Sequence, residues 1–121
     1  MEIYKDFTFE AAHQLPNVPA GHKCARIHGH TYDIRIVVEG PVGERTGWVQ
    51  DFDDLKIAIE PVIRELDHTC LNDARGLENP TSEMLAIWVW GKICSDLPAL
   101  SRIEVKETRN SGCIYKGPDS K

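Results

Sequence analysis

Residues 28–39 read His-Gly-His-Thr-Tyr-Asp-Ile-Arg-Ile-Val-Val-Glu, and this stretch decides the fold. From His28 to Val38, every second side chain is a histidine, an aromatic or an aliphatic group, whereas most alternate positions are polar, as at Asp33 and Arg35. A period of two is typical of a strand with one buried face. The sequence therefore predicts a half-buried strand in an antiparallel sheet.

The segment that precedes this strand alternates in the same way. One parity of residues 3–13 carries the apolar side chains and a histidine: Ile3, Phe7, Phe9, Ala11 and His13. Pro16, Pro19 and Gly21 then mark a loop. We expect the two strands to pair in antiparallel fashion through that loop.

Two helices are predicted in the middle of the chain. Asp51 and Asp53 can cap the first, whose apolar positions recur with a helical period at Leu55, Ile59, Val62 and Leu66. Pro61 lies inside this pattern and should kink the helix or relax its first half. Residues 79–83, Asn-Pro-Thr-Ser-Glu, read as the start of the second helix, with Pro80 near its first position.

Two further strands follow the helices. Ile103, Val105 and Glu107 alternate in a third strand, and residues 113–116 predict a short fourth one. The order β-β-α-α-β-β predicts one α+β domain of residues 1–121. In it, both helices cover one face of a four-stranded antiparallel sheet.

The composition narrows the class of protein. Hydrophobic residues make up 41% of the 121 residues and charged residues 27%, as in a folded globular domain. A net charge of −5 disfavours non-specific binding to nucleic acid, which needs a basic surface. We expect no membrane contact and a cytoplasmic location, since residues 1–9 lack an apolar signal core and no apolar run reaches the roughly 18 residues of a membrane span. The four cysteines form no CxxC pair and are expected to be free thiols.

Three histidines form the strongest candidate site. His28 and His30 point to one face of their strand, with Gly29 between them allowing a close backbone approach, and pairing of the strands brings His13 near both. Three imidazoles without a fixed fourth ligand match an open catalytic zinc site. Two alternatives remain: ordinary polar residues at a strand end, or a closed structural zinc site with Cys24 as the fourth ligand.

Cys24 and the pair Asp67–His68 are candidate acid–base groups. Lys23 and Arg26 flank Cys24 and, with a zinc ion, favour its thiolate, which can act as a base or a nucleophile. Asp67 can orient and charge the imidazole of His68, although adjacent Asp-His pairs are common without any function. His22 has no evident partner and reads as a loop residue.

Glu107 shares its parity with buried residues of the third strand and should point inward. A buried carboxylate needs a partner. That partner is either the guanidine-like edge of a ligand or a cation in a structural salt bridge.

Together these residues resemble the 6-pyruvoyl-tetrahydropterin synthase / 6-carboxy-tetrahydropterin synthase family. The resemblance covers nearly the whole chain, in the segments Phe7–His13, Cys24 with His28-Gly29-His30, Gly47–Phe52, Leu66–His68, Leu71-Asn72, Asn79–Glu83, Val105–Thr108 and Cys113–Tyr115. It implies the tunnelling fold, in which the sheets of three subunits form a barrel and two trimers stack into a homohexamer.

The resemblance also implies an activity and a role for each candidate residue. The three residues between Cys24 and His28 look like the 6-carboxy branch of the queuosine pathway, since the pyruvoyl synthases have five. That branch converts 7,8-dihydroneopterin triphosphate to 6-carboxy-5,6,7,8-tetrahydropterin, acetaldehyde and triphosphate. Carried over by position, the zinc ligands are His13, His28 and His30. The proton-transfer residues are Cys24, Asp67 and His68, and the residue that anchors the pterin is Glu107. The rivals are a 6-pyruvoyl synthase and a non-catalytic zinc-binding domain.

Overall fold

Four strands and two helices follow one another in the predicted order. The structure is a computed structural model, and it describes residues 1–118. Its elements are β1 (Glu2–His13), β2 (His28–Glu39), α1 (Phe52–Leu66), α2 (Ser82–Ile93), β3 (Leu100–Thr108) and β4 (Ser111–Tyr115). Two single turns of 3-10 helix, Lys23–Ala25 and Leu71–Asp73, lie in the loops. The predicted strand and helix types are confirmed.

The sheet is antiparallel throughout, with the strand order β1-β2-β3-β4. β1 and β2 pair along their whole length, from Glu2 opposite Glu39 to His13 opposite His28. This register confirms the predicted hairpin-like pairing. It also fixes the site, because it places the last residue of β1 beside the first residue of β2.

The core lies between one face of the sheet and both helices. The sheet contributes the residues of the predicted inward parity, among them Phe9, Tyr32, Ile34, Ile36, Ile103 and Val105. The helices contribute Leu55, Ile59, Val62, Leu66, Leu85, Val89 and Ile93. Removal of this apolar surface from water is the main driving force for folding. The predicted placement of both helices on one face is therefore confirmed.

The opposite face of the sheet is polar and held by pairs between neighbouring strands. Arg35 binds Asp6 at 2.8 Å, and Thr8 donates to Asp33 at 2.8 Å. The hydrogen bond from Arg35 holds the pKa of Asp6 below its usual range. Such cross-strand pairs define the register of a face that has no core to bury.

The two helices begin with side-chain caps. Asp51 accepts a hydrogen bond from the backbone N–H of Asp53, as predicted, and α1 continues through Pro61 to Leu66. The prediction of Pro80 near the first position of α2 is wrong by two residues. Thr81 is extended and caps α2 through the N–H of Met84, so the helix starts at Ser82 and Pro80 precedes the cap. The side-chain cap decided the start, because Thr81 satisfies a free N–H of the first turn.

The outer edge of β1 is covered over only part of its length. The segment that follows α1 runs along its end: the N–H of Ala12 donates to the carbonyl of Thr69, and that of Gln14 to the side chain of Asn72. Residues 2–9 have no strand on that side within the described part of the chain. Neither helix of residues 1–118 is long and apolar enough to cross a membrane.

Candidate metal and catalytic site

The three predicted histidines meet where β1 ends and β2 begins. One nitrogen from each of His13, His28 and His30 lies within 4.8 Å of the other two. Their rings are nearly perpendicular, with centroids 4.5 to 5.0 Å apart. His13 is buried, with 1% of its surface exposed, and the other two are half-buried. The predicted constellation is thus present in a single chain.

Backbone carbonyls determine which nitrogen of two of these rings is free. Nδ1 of His13 lies 2.9 Å from the carbonyl oxygen of Pro80, and Nδ1 of His28 lies 2.7 Å from that of Arg26. Because a carbonyl oxygen only accepts, each Nδ1 carries the proton and each Nε2 presents a lone pair. The two Nε2 atoms lie 2.9 Å apart. Two lone pairs at that distance repel unless a cation lies between them.

The donor set therefore fits a divalent transition metal. Three converging imidazole nitrogens, two of them on rings whose outer N–H is hydrogen-bonded, match the arrangement found at open zinc sites. Burial lowers the pKa of His30, and the other two imidazoles lower it further against the opposing effect of Glu107. This shift favours the neutral ring, which is the form that binds a metal.

Glu107 reaches the same cluster from β3. Its Oε1 lies 3.4 Å from Nε2 of His13 and 3.9 Å from Nε2 of His30. The predicted inward orientation is confirmed, and the two histidines are the protein neighbours of the carboxylate. Glu107 also borders a smaller pocket with Ser82 and Cys113. Its negative charge lies where a cation or a cationic ligand edge would be stabilised.

Cys24 lies in the same pocket as the histidines but not within their ligand group. A pocket of about 440 Å³ is lined by Cys24, the three histidines, Glu107, Thr108, Leu15 and Lys23. Within residues 1–118 the group of mutually close ligand atoms contains the histidines only. This arrangement disfavours the closed site with cysteine as fourth ligand. It leaves Cys24 facing the space in which a substrate would lie.

His22 has a role that the sequence did not reveal. Its Nδ1 accepts the backbone N–H of Cys24 at 3.0 Å and caps the 3-10 turn that carries the cysteine. The prediction that His22 is a loop residue is confirmed, but it has a partner that the sequence did not indicate. A histidine directly before a short turn gives no strong sequence signal, since its cap depends on the loop geometry.

Asp67 and His68 form a pair beside the outer edge of β1, where His68 borders a pocket with Gly29 and His30. Oδ2 of Asp67 lies 3.0 Å from Nδ1 of His68, and Oδ1 accepts the backbone N–H of Glu10 at 3.0 Å. The bond from Glu10, followed by that from His68, lowers the pKa of Asp67. His68 has a positive φ of 59° and a side chain that is 76% exposed. The pair does not line the pocket of Cys24 in the same chain.

Gly29 is not required for the reason that the sequence suggested. A Cβ placed on Gly29 would meet the carbonyl oxygen of Ala11 at 3.8 Å, which is an ordinary contact. The prediction of a close backbone approach is wrong.

All four cysteines are free thiols, as predicted. Burial raises the pKa of Cys113, so that thiol stays protonated.

Comparisons with known proteins agree on one family. The family model described as 6-pyruvoyl tetrahydropterin synthase matches residues 2–118. A 6-carboxy-5,6,7,8-tetrahydropterin synthase from Synechocystis is 44% identical over 96% of this chain and 93% of its own length. A dihydroneopterin monophosphate aldolase from Pyrococcus furiosus is 35% identical over 87% of this chain and 88% of its own. The structure of 6-pyruvoyl tetrahydropterin synthase from Caenorhabditis elegans superposes with a TM-score of 0.89 at 27% identity, covering 98% of this chain and 96% of that one.

Proposed function

This chain belongs to the 6-pyruvoyl tetrahydropterin synthase family, and on that premise we propose that it is a zinc-dependent carbon–carbon lyase. It converts 7,8-dihydroneopterin triphosphate and one molecule of water to 6-carboxy-5,6,7,8-tetrahydropterin, acetaldehyde and triphosphate. The observation that carries the proposal is the pocket that joins three converging histidines to Cys24 and Glu107. It provides metal ligands, an acid–base group and a carboxylate in one place.

The 6-carboxy branch of the family is favoured by two features. The cyanobacterial relative with that name is 44% identical over 96% of the chain. In addition, three residues separate Cys24 from His28, the spacing that resembles this branch. Because that activity supplies a precursor of queuosine, we place the protein in that pathway and in the cytoplasm.

His13, His28 and His30 would hold the zinc ion. The chemistry that zinc supplies here is Lewis acidity toward the hydroxyl groups of the substrate side chain. The protein's part is to keep three neutral Nε2 atoms aimed at one point, which the carbonyls of Pro80 and Arg26 do for two of them. The pocket that remains open beside them leaves room for the side chain of the substrate.

Cys24 is the group placed to remove a proton from the substrate. Its thiolate accepts a side-chain proton on the pocket side of the histidines. His68, oriented by Asp67 through the 3.0 Å contact, exchanges a proton on the opposite side. These transfers accompany the elimination of triphosphate and the retro-aldol-like cleavage that releases acetaldehyde.

Glu107 would anchor the pterin. A pterin ring presents an amino-pyrimidine edge with two parallel N–H donors, which a carboxylate accepts in a charge-assisted pair. Oε1 of Glu107 lies 3.4 Å from Nε2 of His13. Anchoring the ring at Glu107 therefore brings its side chain to the metal centre. Lys23, which lines the pocket, and Arg26 nearby are the candidates to bind the phosphates.

The active site is proposed to be completed between subunits. His68 lies 76% exposed on the outer side of β1, whereas Cys24 lies in the pocket of the histidines. Residues 2–9 of β1 present an open edge, and such edges invite pairing with another strand. Edge-to-edge pairing of three sheets would close a barrel without free edges, and two such trimers would form the homohexamer.

Product analysis tests the proposed reaction. The zinc-loaded protein is incubated with 7,8-dihydroneopterin triphosphate, and the products are separated and identified by mass spectrometry. We expect equal amounts of acetaldehyde, triphosphate and 6-carboxy-tetrahydropterin. A pyruvoyl-pterin without acetaldehyde would identify the rival synthase, and turnover of the monophosphate alone would match the name of the archaeal relative. Zinc binding without any turnover would support a non-catalytic domain.

A further inference from the structure

A buried tyrosine touches the metal centre from the core side. Tyr32 is fully buried and follows His30 by two residues on the same face of β2. Its hydroxyl lies 3.1 Å from Nδ1 of His13. Within residues 1–118 this is the hydrogen-bond partner found for that hydroxyl. A polar group so deep in an apolar core is retained at a cost unless it is bonded, so its position needs a reason.

The geometry around Nδ1 of His13 defines what the hydroxyl does. The carbonyl of Pro80 lies 2.9 Å from the same nitrogen and can only accept, so Nδ1 carries a proton. The oxygen of Tyr32 therefore accepts a share of this N–H. Two acceptors on one N–H hold the ring in place and raise the electron density that Nε2 offers to a metal.

The ring of Tyr32 supports two ligands at once. It meets His13 edge-on, with centroids 6.0 Å apart, and His30 edge-on, with centroids 5.7 Å apart. Its other face stacks on Phe9 at 5.1 Å. The tyrosine is thus packed tightly in the core and contacts the histidine cluster from the core side. His28 is instead bonded through Nδ1 to the loop carbonyl of Arg26.

We propose that Tyr32 is a positioning residue of the metal centre, whose hydroxyl, together with the Pro80 carbonyl, fixes His13 in the tautomer and orientation that present Nε2 to the ion. This role rests on the proposed zinc site. It links the core to the site, because the hydroxyl joins a residue stacked in the core to the most deeply buried ligand.

Zinc affinity in matched variants tests the proposal. Tyr32→Phe keeps the ring and removes only the hydroxyl. Tyr115→Phe is the control, since Tyr115 packs edge-on against Trp90 and pairs with Ile103, away from the end of β3 that carries Glu107. The zinc dissociation constant is measured on full-length protein by competition with a chelator of known affinity. The melting temperatures of the zinc-free forms are measured in parallel.

We expect Tyr32→Phe to bind zinc roughly tenfold more weakly, at the lower end of the effect of outer-shell changes, with Tyr115→Phe unchanged. An affinity within about twofold of wild type would overturn the role of Tyr32. That result would leave the zinc site intact if the wild type still binds one ion per chain. Failure of the wild type to bind zinc would instead refute the proposed function.

A second measurement does not depend on the variant folding. Nitrogen-15 NMR of the zinc-loaded wild type reports which ring nitrogen of His13 carries the proton. We expect a protonated Nδ1 with a slowly exchanging hydrogen that shows a nuclear Overhauser effect to the ring of Tyr32. Where Tyr32→Phe folds, the same resonance should shift upfield, because the N–H has lost one of its two acceptors. A proton on Nε2 in the wild type would contradict the proposal.

Discussion

The metal centre and the Asp67–His68 pair differ in how firmly one chain holds them. His13 is 1% exposed and bonded through Nδ1 to Pro80 and Tyr32, whereas His68 is 76% exposed and has a positive φ. Both regions bear on the same end of β1, since Asp67 binds the N–H of Glu10. The core therefore holds the side chain of the proposed ligand His13, whereas His68 is held through its backbone N–H to Glu10 and its contact with Asp67, with its ring largely exposed.

This difference indicates which part of the proposed active site a single chain assembles. Pairing of β1 and β2 within one chain brings together the three histidines of the proposed ligand set. Asp67 and His68 do not line the pocket of Cys24, and His68 borders a separate pocket together with Gly29 and His30. If the proposed site is divided between subunits, turnover should depend on assembly whereas metal binding should not.

The largest expected effect is at the metal ligands. His28→Ala should purify without zinc and without activity, because it removes one of the three nitrogens that converge on the proposed ion. The loss of zinc affinity should exceed the hundredfold that marks the upper range for outer-shell changes. His22→Ala is the control and should keep its zinc, since His22 bonds only the N–H of Cys24. Elemental analysis of the purified proteins measures this, and full zinc retention in both His28→Ala and His13→Ala would refute the assignment.

Removal of the thiol should separate metal binding from turnover. Cys24→Ala is expected to keep one zinc per chain and to lose roughly 10²- to 10⁴-fold in kcat, the range for a general base. Cys94→Ala, at the end of α2, is the matched control and should turn over normally. Normal kcat in Cys24→Ala would show that the thiol is not the base. Loss of zinc in that variant would support the closed structural site instead.

Glu107→Gln should weaken substrate binding without loss of metal. The substitution removes the charge from a bond worth roughly 1.5–3 kcal/mol, which corresponds to roughly a tenfold to hundredfold loss of affinity. Glu104→Gln on the polar face is the control. Calorimetric titration with a pterin measures the dissociation constants, and an unchanged value in Glu107→Gln would remove Glu107 from substrate recognition.

The smallest expected effect concerns Asp67, the carboxylate of the exposed Asp67–His68 pair. The pKa of Asp67 is lowered in the folded state, chiefly by the Glu10 N–H and then by His68. Its contribution to stability is therefore present above its unfolded pKa of about 3.9 and disappears as the pH falls through the lower folded value. Asp67→Asn should lower the free energy of unfolding at pH 7 and have less effect at pH 3. Urea denaturation at both pH values measures it, with the exposed Asp96→Asn as the control; an equal effect at both pH values would contradict the expectation.

The fold and the ligand set were predictable because short-range patterns encode them. A period of two placed His13, His28 and His30 on one face of the sheet. Pairing of the two strands through one loop then brought the three side chains together. The cap at Asp51 was also local. In each case the deciding residues lie within one strand, or in two segments that follow each other along the chain.

The contacts that tune the site could not be predicted, because they join distant segments through backbone atoms. The carbonyl that accepts from His13 belongs to Pro80, 67 residues later, and a shift of the helix start to Ser82 made it available. The residue type does not predict which backbone carbonyl will accept such a hydrogen bond. Likewise, the inward parity of Glu107 was evident, but its 3.4 Å approach to His13 depends on the twist and register of three strands.

Subunit mixing tests most directly whether the metal centre of one chain works with the exposed pair of another. Inactive Cys24→Ala and inactive His68→Ala proteins are dissociated, mixed in equal amounts and reassembled, and mixed oligomers are verified by mass spectrometry. If each site takes Cys24 and His68 from different chains, about one quarter of the sites regain both residues and activity returns to that extent. No recovery in verified mixed oligomers would place both residues in the site of one chain and contradict the account.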